Sequence, residues 1–206
     1  SWMWANWEVE EFAQWLKKFN KNQSANQRKG FYGLDVYSLW ESLDAILDYL
    51  KKEDPSALET AREAMQCFEP YRDGDGQRYA MSTRMVPEGC RDEVREMLAE
   101  IREKATSYNS DKENVFSTEQ NALIAKNAEE YYRVMVQGGA STWNLRDQHM
   151  MDTLNKLLEF HGSDAKGIVW AHNTNIGDAS YTDMADDGLY NIGELARKEY
   201  GRDRVS

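Results

Sequence analysis

The sequence predicts a helix-rich α/β fold in which a few-stranded core sheet carries a helical subdomain. Three observations lead there. Most of the chain repeats apolar residues at three- and four-residue spacing, as amphipathic helices do. Two short apolar runs, "GFYGLD" from Gly30 and "GIVWA" from Gly167, have the length of strands and end in polar residues. The helices between about 38 and 161 outrun a minimal crossover between those strands, so they read as a subdomain inserted between them.

Taken in order, Val9, Phe12, Ala13, Leu16 and Phe19 give a helix over about 6–19, with Asn6 as its N-cap. "NKNQSANQRKG" breaks it, and the first strand follows near 30–35. Ser38 is placed to cap a helix whose Leu39, Leu43, Ile46, Leu47 and Leu50 form one stripe to about Lys52. Pro55 opens another, through about Phe68. "EPYRDGDGQRYAMSTRMVPEG" reads as an irregular surface excursion; its "DGDG" resembles the start of a calcium loop but lacks the twelfth, acidic ligand, which leaves a turn. Helices follow over about 91–108, 117–136 and 144–160, the paired glycines of "QGGAS" ending the second of these. The second strand lies near 167–171, and Ile192, Leu195 and Ala196 mark a last short helix.

Composition narrows the class of function. With 206 residues, 41% apolar, the chain can bury one sizeable core. A net charge of -11 argues against a nucleic-acid partner, which would need clustered Lys and Arg. No run reaches the roughly 18 apolar residues of a membrane span, and no signal segment opens the chain, so a soluble, cytoplasmic protein without a membrane partner is expected. Cys67 and Cys90 are too few for a disulfide scaffold and lack metal-ligand spacing; they are expected to stay unpaired. Trp2, Trp4, Trp7 and Trp15 read as core, as do Met150 and Met151. The opening "SWMWANWEVEEF" without a Met start, and the closing "GRDRVS", which reads as a strand just beginning, make the chain look like an internal part of a longer protein.

The chemistry concentrates in two places. In "IVWAHNTNIGDA" the second strand runs into His172, Asn173, Asn175 and Asp178, and loops at the carboxyl ends of strands are where open α/β sheets put their sites. His172 there can move protons or hold a developing negative charge, while Asn and Asp would equally serve as backbone-satisfying turn residues. In "TWNLRDQHMMDTL" Arg146 and His149 share a helix face beside Asp147, and Arg146 is suited to clamping an anionic group, unless these charges form only a solvated face. Asp35 ends the first strand and faces the same rim as His172 if the strands are parallel neighbours; it could instead cap the next helix.

Four blocks in this order, "WMWANWEVEEFAQWLKKFN", "GFYGLDVYSL", "WNLRDQHMMDTL" and "VWAHNTNIGDASYTDMADDGLYNIGELARKEYG", resemble the erythromycin esterase family, also labelled succinoglycan biosynthesis proteins. The resemblance implies a partial domain over 1–206 with an α/β core and a hydrolase cleft where histidines, glutamates and arginines activate water to open a macrolactone ester. The family motif commonly reads His-Asn-Thr-His; His172 matches its first histidine, and Asn175 stands where the second would be. A Gly-Glu-x-x-His-Gly block that supplies the family's general base has no match here, which makes an N-terminal part of the same chain the expected partner. A small-molecule ester is the expected substrate, with His172 as the catalytic group and Asp35, Arg146, His149, Asn173 and Asn175 contacting substrate. No cofactor and no metal are expected. Two alternatives stand beside this: a homologue that binds a ligand without cleaving it, and a metal-dependent hydrolase using His172 with Asp35, Asp178 or Asp183.

Overall fold

Helices account for the regular structure of the protein, as seen in a computed structural model that describes residues 4–24, 27–74, 76–86, 89–108, 111–136 and 138–206. Trp2 and Asp75, which figure in the tryptophan cluster and the "DGDG" turn, lie outside the described residues. The chain divides into two compact units, Ser1–Gly33 and Leu34–Ser206.

The first unit is built on α1 (Trp7–Lys21), capped by Asn6, whose side chain accepts from Val9 N at 2.9 Å. Asn20 turns the chain back by clasping Lys29 through its side chain, donating to the Lys29 carbonyl at 2.8 Å and accepting from its N–H at 2.9 Å. Phe12 meets Phe31 edge-on at 5.4 Å and stacks on Trp15, which stacks on Phe19. Trp4, Trp7 and Trp15 are not core, being 38%, 77% and 57% exposed.

The second unit holds α2 (Leu39–Glu53), α3 (Leu58–Phe68), α4 (Gln77–Ser82), α5 (Arg91–Lys104), α6 (Lys112–Met135), α7 (Ala140–His161), α8 (Asn173–Ile176) and α9 (Ile192–Tyr200). The predicted stripe of α2 packs as read, with Leu39, Leu43, Ile46 and Leu50 buried in the main cluster, where α2 lies against α3 and α6. Ser38 occupies the N-cap position of α2 without making a side-chain cap bond. α6 starts at Lys112 rather than 117, because Asp111 accepts from Glu113 N and gives the helix an earlier cap. The supposed surface excursion is partly core: Tyr79 and Ala80 of α4 are buried with the main cluster. Gly76 makes this fit, since a Cβ there would lie 2.1 Å from the Tyr132 ring, and its φ of +77° suits glycine. Met150 and Met151 are buried as expected, in a smaller cluster with Leu154, Ile192 and Ala196.

The α/β expectation fails. Among the described residues there is no strand or bridge; the segments near 30–35 and 167–171 and the closing "DRVS" lie in irregular backbone. A strand exists only with a neighbour to complete its ladder of hydrogen bonds, and an apolar run supplies the side chains without the neighbour. Ile168 accordingly stands 96% exposed while Val169 packs on the smaller cluster. The architecture described is all-α.

The cysteines also depart from expectation. Cys67, at the end of α3, and Cys90, just before α5, form a disulfide with a Cα–Cα distance of 5.7 Å. Sequence spacing carries no sign of this pairing, which follows from α3 and α5 lying side by side. No helix among the described residues is long and apolar enough to cross a membrane.

Candidate active site

α7 is the platform of the candidate site. Its first half projects Arg146 toward Asp35, in the bend that follows Leu34. The guanidinium Nε donates to Oδ1 at 2.9 Å and to Oδ2 at 3.0 Å, and a terminal nitrogen lies 2.9 Å from Oδ2. Such a fork-shaped pair fixes both partners. The ring faces of Tyr37 and Trp143 flank the same guanidinium, their centroids 5.3 and 5.7 Å from its central carbon. Burial works to lower the Arg146 pKa, and the Asp35 carboxylate more than reverses it. Burial, with the hydrogen bond to Tyr131, holds the Tyr37 hydroxyl well above its ordinary range. Asp35 and Arg146, both anticipated from the sequence, are thus each other's partners. In the structure the anion that Arg146 clamps is the Asp35 carboxylate, through two of its three nitrogens.

The next residue, Asp147, is fully buried and ties two loops to α7. It accepts from Ile192 N at 2.9 Å and from Asn175 Nδ2 at 3.2 and 3.3 Å. Burial raises its pKa, opposed by those donors. Asn144 accepts from Tyr190 N and donates to the Gly188 carbonyl, and Trp143 Nε1 donates to the Tyr190 carbonyl, so the 188–190 turn is also pinned to α7.

His149 sits one turn on, 1% exposed. Lys126 Nζ donates to Asn127 Oδ1 at 3.1 Å, which orients the amide so that its nitrogen donates to His149 Nδ1 at 2.8 Å. The neutral ring then carries its proton on Nε2, which has no acceptor among the described residues. Burial lowers its pKa to about 4. His149 belongs to the interior rather than to a surface that meets substrate.

His172 differs in exposure and setting. It is exposed and serves as N-cap of the short α8: Thr174 N donates to its Nδ1 at 3.3 Å, and the Thr174 hydroxyl lies 2.9 Å from the same nitrogen. With Nδ1 accepting from a backbone N–H, the neutral ring keeps its proton on Nε2. Asn173 is exposed beside it, and Asn175 turns inward to Asp147 and is buried. The turn is held from below as well. Asn191 Nδ2 donates to the Thr174 carbonyl at 2.8 Å while its Oδ1 caps α9 through Glu194 N at 2.9 Å. Gly193 allows α9 to press on this turn, since a Cβ there would come within 2.0 Å of the Gly177 carbonyl oxygen.

Asp178 is engaged by Ser180 and by Arg202, and the Ser180 hydrogen bond leads in holding its pKa low. Among the described residues no three or more His, Cys, Asp or Glu side chains are grouped to hold a metal ion. The arrangement offers instead an exposed imidazole N–H above a buried polar foundation. Asn191 and Gly193 are the parts of that foundation not singled out in the sequence, and Asp147 was noted there only as a neighbour of Arg146 and His149. Only Asn191 announces itself there, as an Asn three residues before Glu194 at a helix start.

Comparison with known proteins accords with these blocks. The family model described as erythromycin esterase matches residues 1–206. A succinoglycan biosynthesis protein of known crystal structure is similar with a TM-score of 0.74 and 20% identity, over 95% of this chain and 46% of its own. A second solved structure, a protein from Bacillus cereus, has a TM-score of 0.77 and 19% identity, over 95% of this chain and 47% of its own. The chain therefore spans about half the length of the solved structures it matches, and identity at that level speaks for the fold alone.

Proposed function

From the premise that the chain belongs to the erythromycin esterase family, we propose that it forms part of an esterase-like hydrolase, in which the Nε2–H of His172 donates a hydrogen bond to the carbonyl oxygen of a carboxylic ester such as a macrolactone. The observation that carries this reading is the Thr174 N–H on His172 Nδ1, which leaves Nε2 as a donor directed away from the turn. As water adds to the ester carbon, negative charge collects on that oxygen, and a preorganised donor is most valuable there. The base that takes the proton from water is assigned to another part of the protein, because His172 in this tautomer cannot accept at Nε2. Arg146 and Asp35 brace the wall, and Asn173 is placed to touch substrate. The substrate class is a small-molecule ester; neither nucleic acid nor membrane enters the reading, and no cofactor is needed for it.

Asn175 favours a second reading, a homologue that binds its ligand without cleaving it. Its amide satisfies Asp147 as a ring nitrogen could, but it cannot take up a proton. Cytosolic glutathione keeps most thiols reduced, so a cytoplasmic location would leave Cys67 and Cys90 as thiols, whereas the observed bridge suits an oxidising compartment.

The test is turnover of a macrolide and of p-nitrophenyl acetate by the complete protein. His172→Ala is expected to lower kcat about a hundredfold, the scale for losing one oxyanion donor, with thermal unfolding lowered only as far as loss of the α8 cap entails. Full turnover in that variant refutes the reading. Binding without turnover in the parent, gained in Asn175→His, selects the second.

A further inference from the structure

The Cys67–Cys90 bridge presents its two residues unequally. Cys67, in the last turn of α3, is half-buried and lines an open depression between α3 and α5, while Cys90 is 1% exposed and does not line it. Glu63 and Gln66 of α3 and Asp92, Glu93 and Glu96 of α5 make up the rest of the lining. Four carboxylates therefore surround the reachable end of the bridge. Arg62, Arg91 and Arg95, in the same helices, are not part of that lining, so no cation among the described residues faces it.

Behind the bridge the backbone is held by the core. Cys90 N donates to the Tyr79 hydroxyl at 2.8 Å, and that hydroxyl donates to Glu129 at 2.8 Å. Cys90 is thereby anchored independently of its sulfur. It stands at the N-cap of α5, where no side chain makes a cap bond. A thiolate freed there meets the positive end of the helix, against the opposition of Asp92 and Glu93.

We propose that the bridge is a thiol-exchange site of fixed polarity, in which a cationic aminothiol attacks Cys67 Sγ and Cys90 Sγ leaves. The incoming thiolate bonds to Cys67 Sγ as the Cys67–Cys90 bond breaks, and the electron pair of that bond goes to Cys90 Sγ. A second thiolate attacks the aminothiol sulfur of the mixed disulfide and releases the Cys67 thiolate. Two thiols are thus oxidised to one disulfide, and the bridge is reduced by two electrons. The carboxylates set the choice of thiol: they repel a thiolate that carries further negative charge and attract an ammonium. None of these residues is assigned to ester hydrolysis, so the two readings stand or fall separately.

The experiment measures exchange on the folded, complete protein with cysteamine and with 2-mercaptoethanesulfonate, each rate divided by the same thiol's rate on uncharged hydroxyethyl disulfide. At low salt the cysteamine ratio is expected to exceed the sulfonate ratio by about tenfold, and the gap should close as salt is added. Acid quenching, alkylation and peptide mapping after brief exposure should place the cysteamine adduct on Cys67 and the alkyl label on Cys90. Glu63→Gln/Glu96→Gln changes exposed side chains, so it should narrow the gap and keep the parent's thermal unfolding. Equal ratios for the two thiols overturn the proposal, as does a gap that the double variant leaves unchanged. An adduct on Cys90, or one shared equally, overturns it too, and so does a rate that stops rising with thiol concentration because unfolding must come first.

Discussion

The cluster between α2, α3, α5 and α6 and the one beneath α7 and α9 are both buried, by opposite means. The first is made of side chains such as Leu39, Ile46, Phe68 and Met97, each at most 1% exposed. The second has few buried apolar members, Met150, Met151, Leu154, Ile192 and Ala196, and surrounds them with Asp147, His149, Asn175 and Asn191. Apolar burial is tolerant of detail, since it depends chiefly on area. Burial of polar groups is favourable only when their hydrogen bonds are met, so it fixes position. The first cluster gives the protein stability; the second gives the His172 turn a single geometry.

The contrast can be broken at its apolar end first. Phe68→Ala, which removes a ring packed on Trp40 and Tyr79, is expected to cost about 3–5 kcal/mol of unfolding free energy, read by urea titration. A loss below about 1 kcal/mol would mean the large cluster is not the main source of stability.

Next in size is the response to acid. His149 is held below its unfolded value of 6.5, to about 4, chiefly by burial; Asp35 and Asp152 pull it up and Lys126 pushes it down. The unfolded chain therefore binds the extra proton first. Stability is full above about pH 6.5 and is lost as pH falls toward 4, by about 3 kcal/mol in all. Urea midpoints across that range should fall in the parent and fall much less in His149→Gln; equal slopes would place the acid sensitivity elsewhere.

The smallest effect sharpens the comparison most. Asn191→Ala removes the cap of α9 and the clip on Thr174 together, at about 1–2 kcal/mol. Amide exchange in 172–178 should quicken while exchange in α2 and α6 stays as before. Uniform quickening would show that the two clusters open as one.

How far all this was legible depends on the range of the interaction. The stripe of α2 and the Asn6 cap depend on neighbours within a few residues, and both stand in the sequence. Asp35 and Arg146 were each visible as candidates, but not as partners 111 residues apart, so a bracing pair was read as a free clamp. The segment Gly167–Ala171 has a strand's composition, yet whether it becomes one depends on a neighbour that its own residues cannot specify. Asp147 was seen only as a neighbour of Arg146 and His149, because its role is set by Ile192 and Asn175, which lie far from it in the sequence. The pairing of Cys67 with Cys90 escaped notice for the same reason.

The Cys67–Cys90 bridge closes the chain between α3 and α5 into a covalent ring. Arg84 and Met85, both exposed, lie on that ring. A protease that cuts there opens the ring without dividing the molecule: the two pieces remain one covalent body until a reductant reaches the sulfurs. Backbone integrity and molecular integrity are thus separate properties along this stretch, where a cut at an exposed site releases nothing.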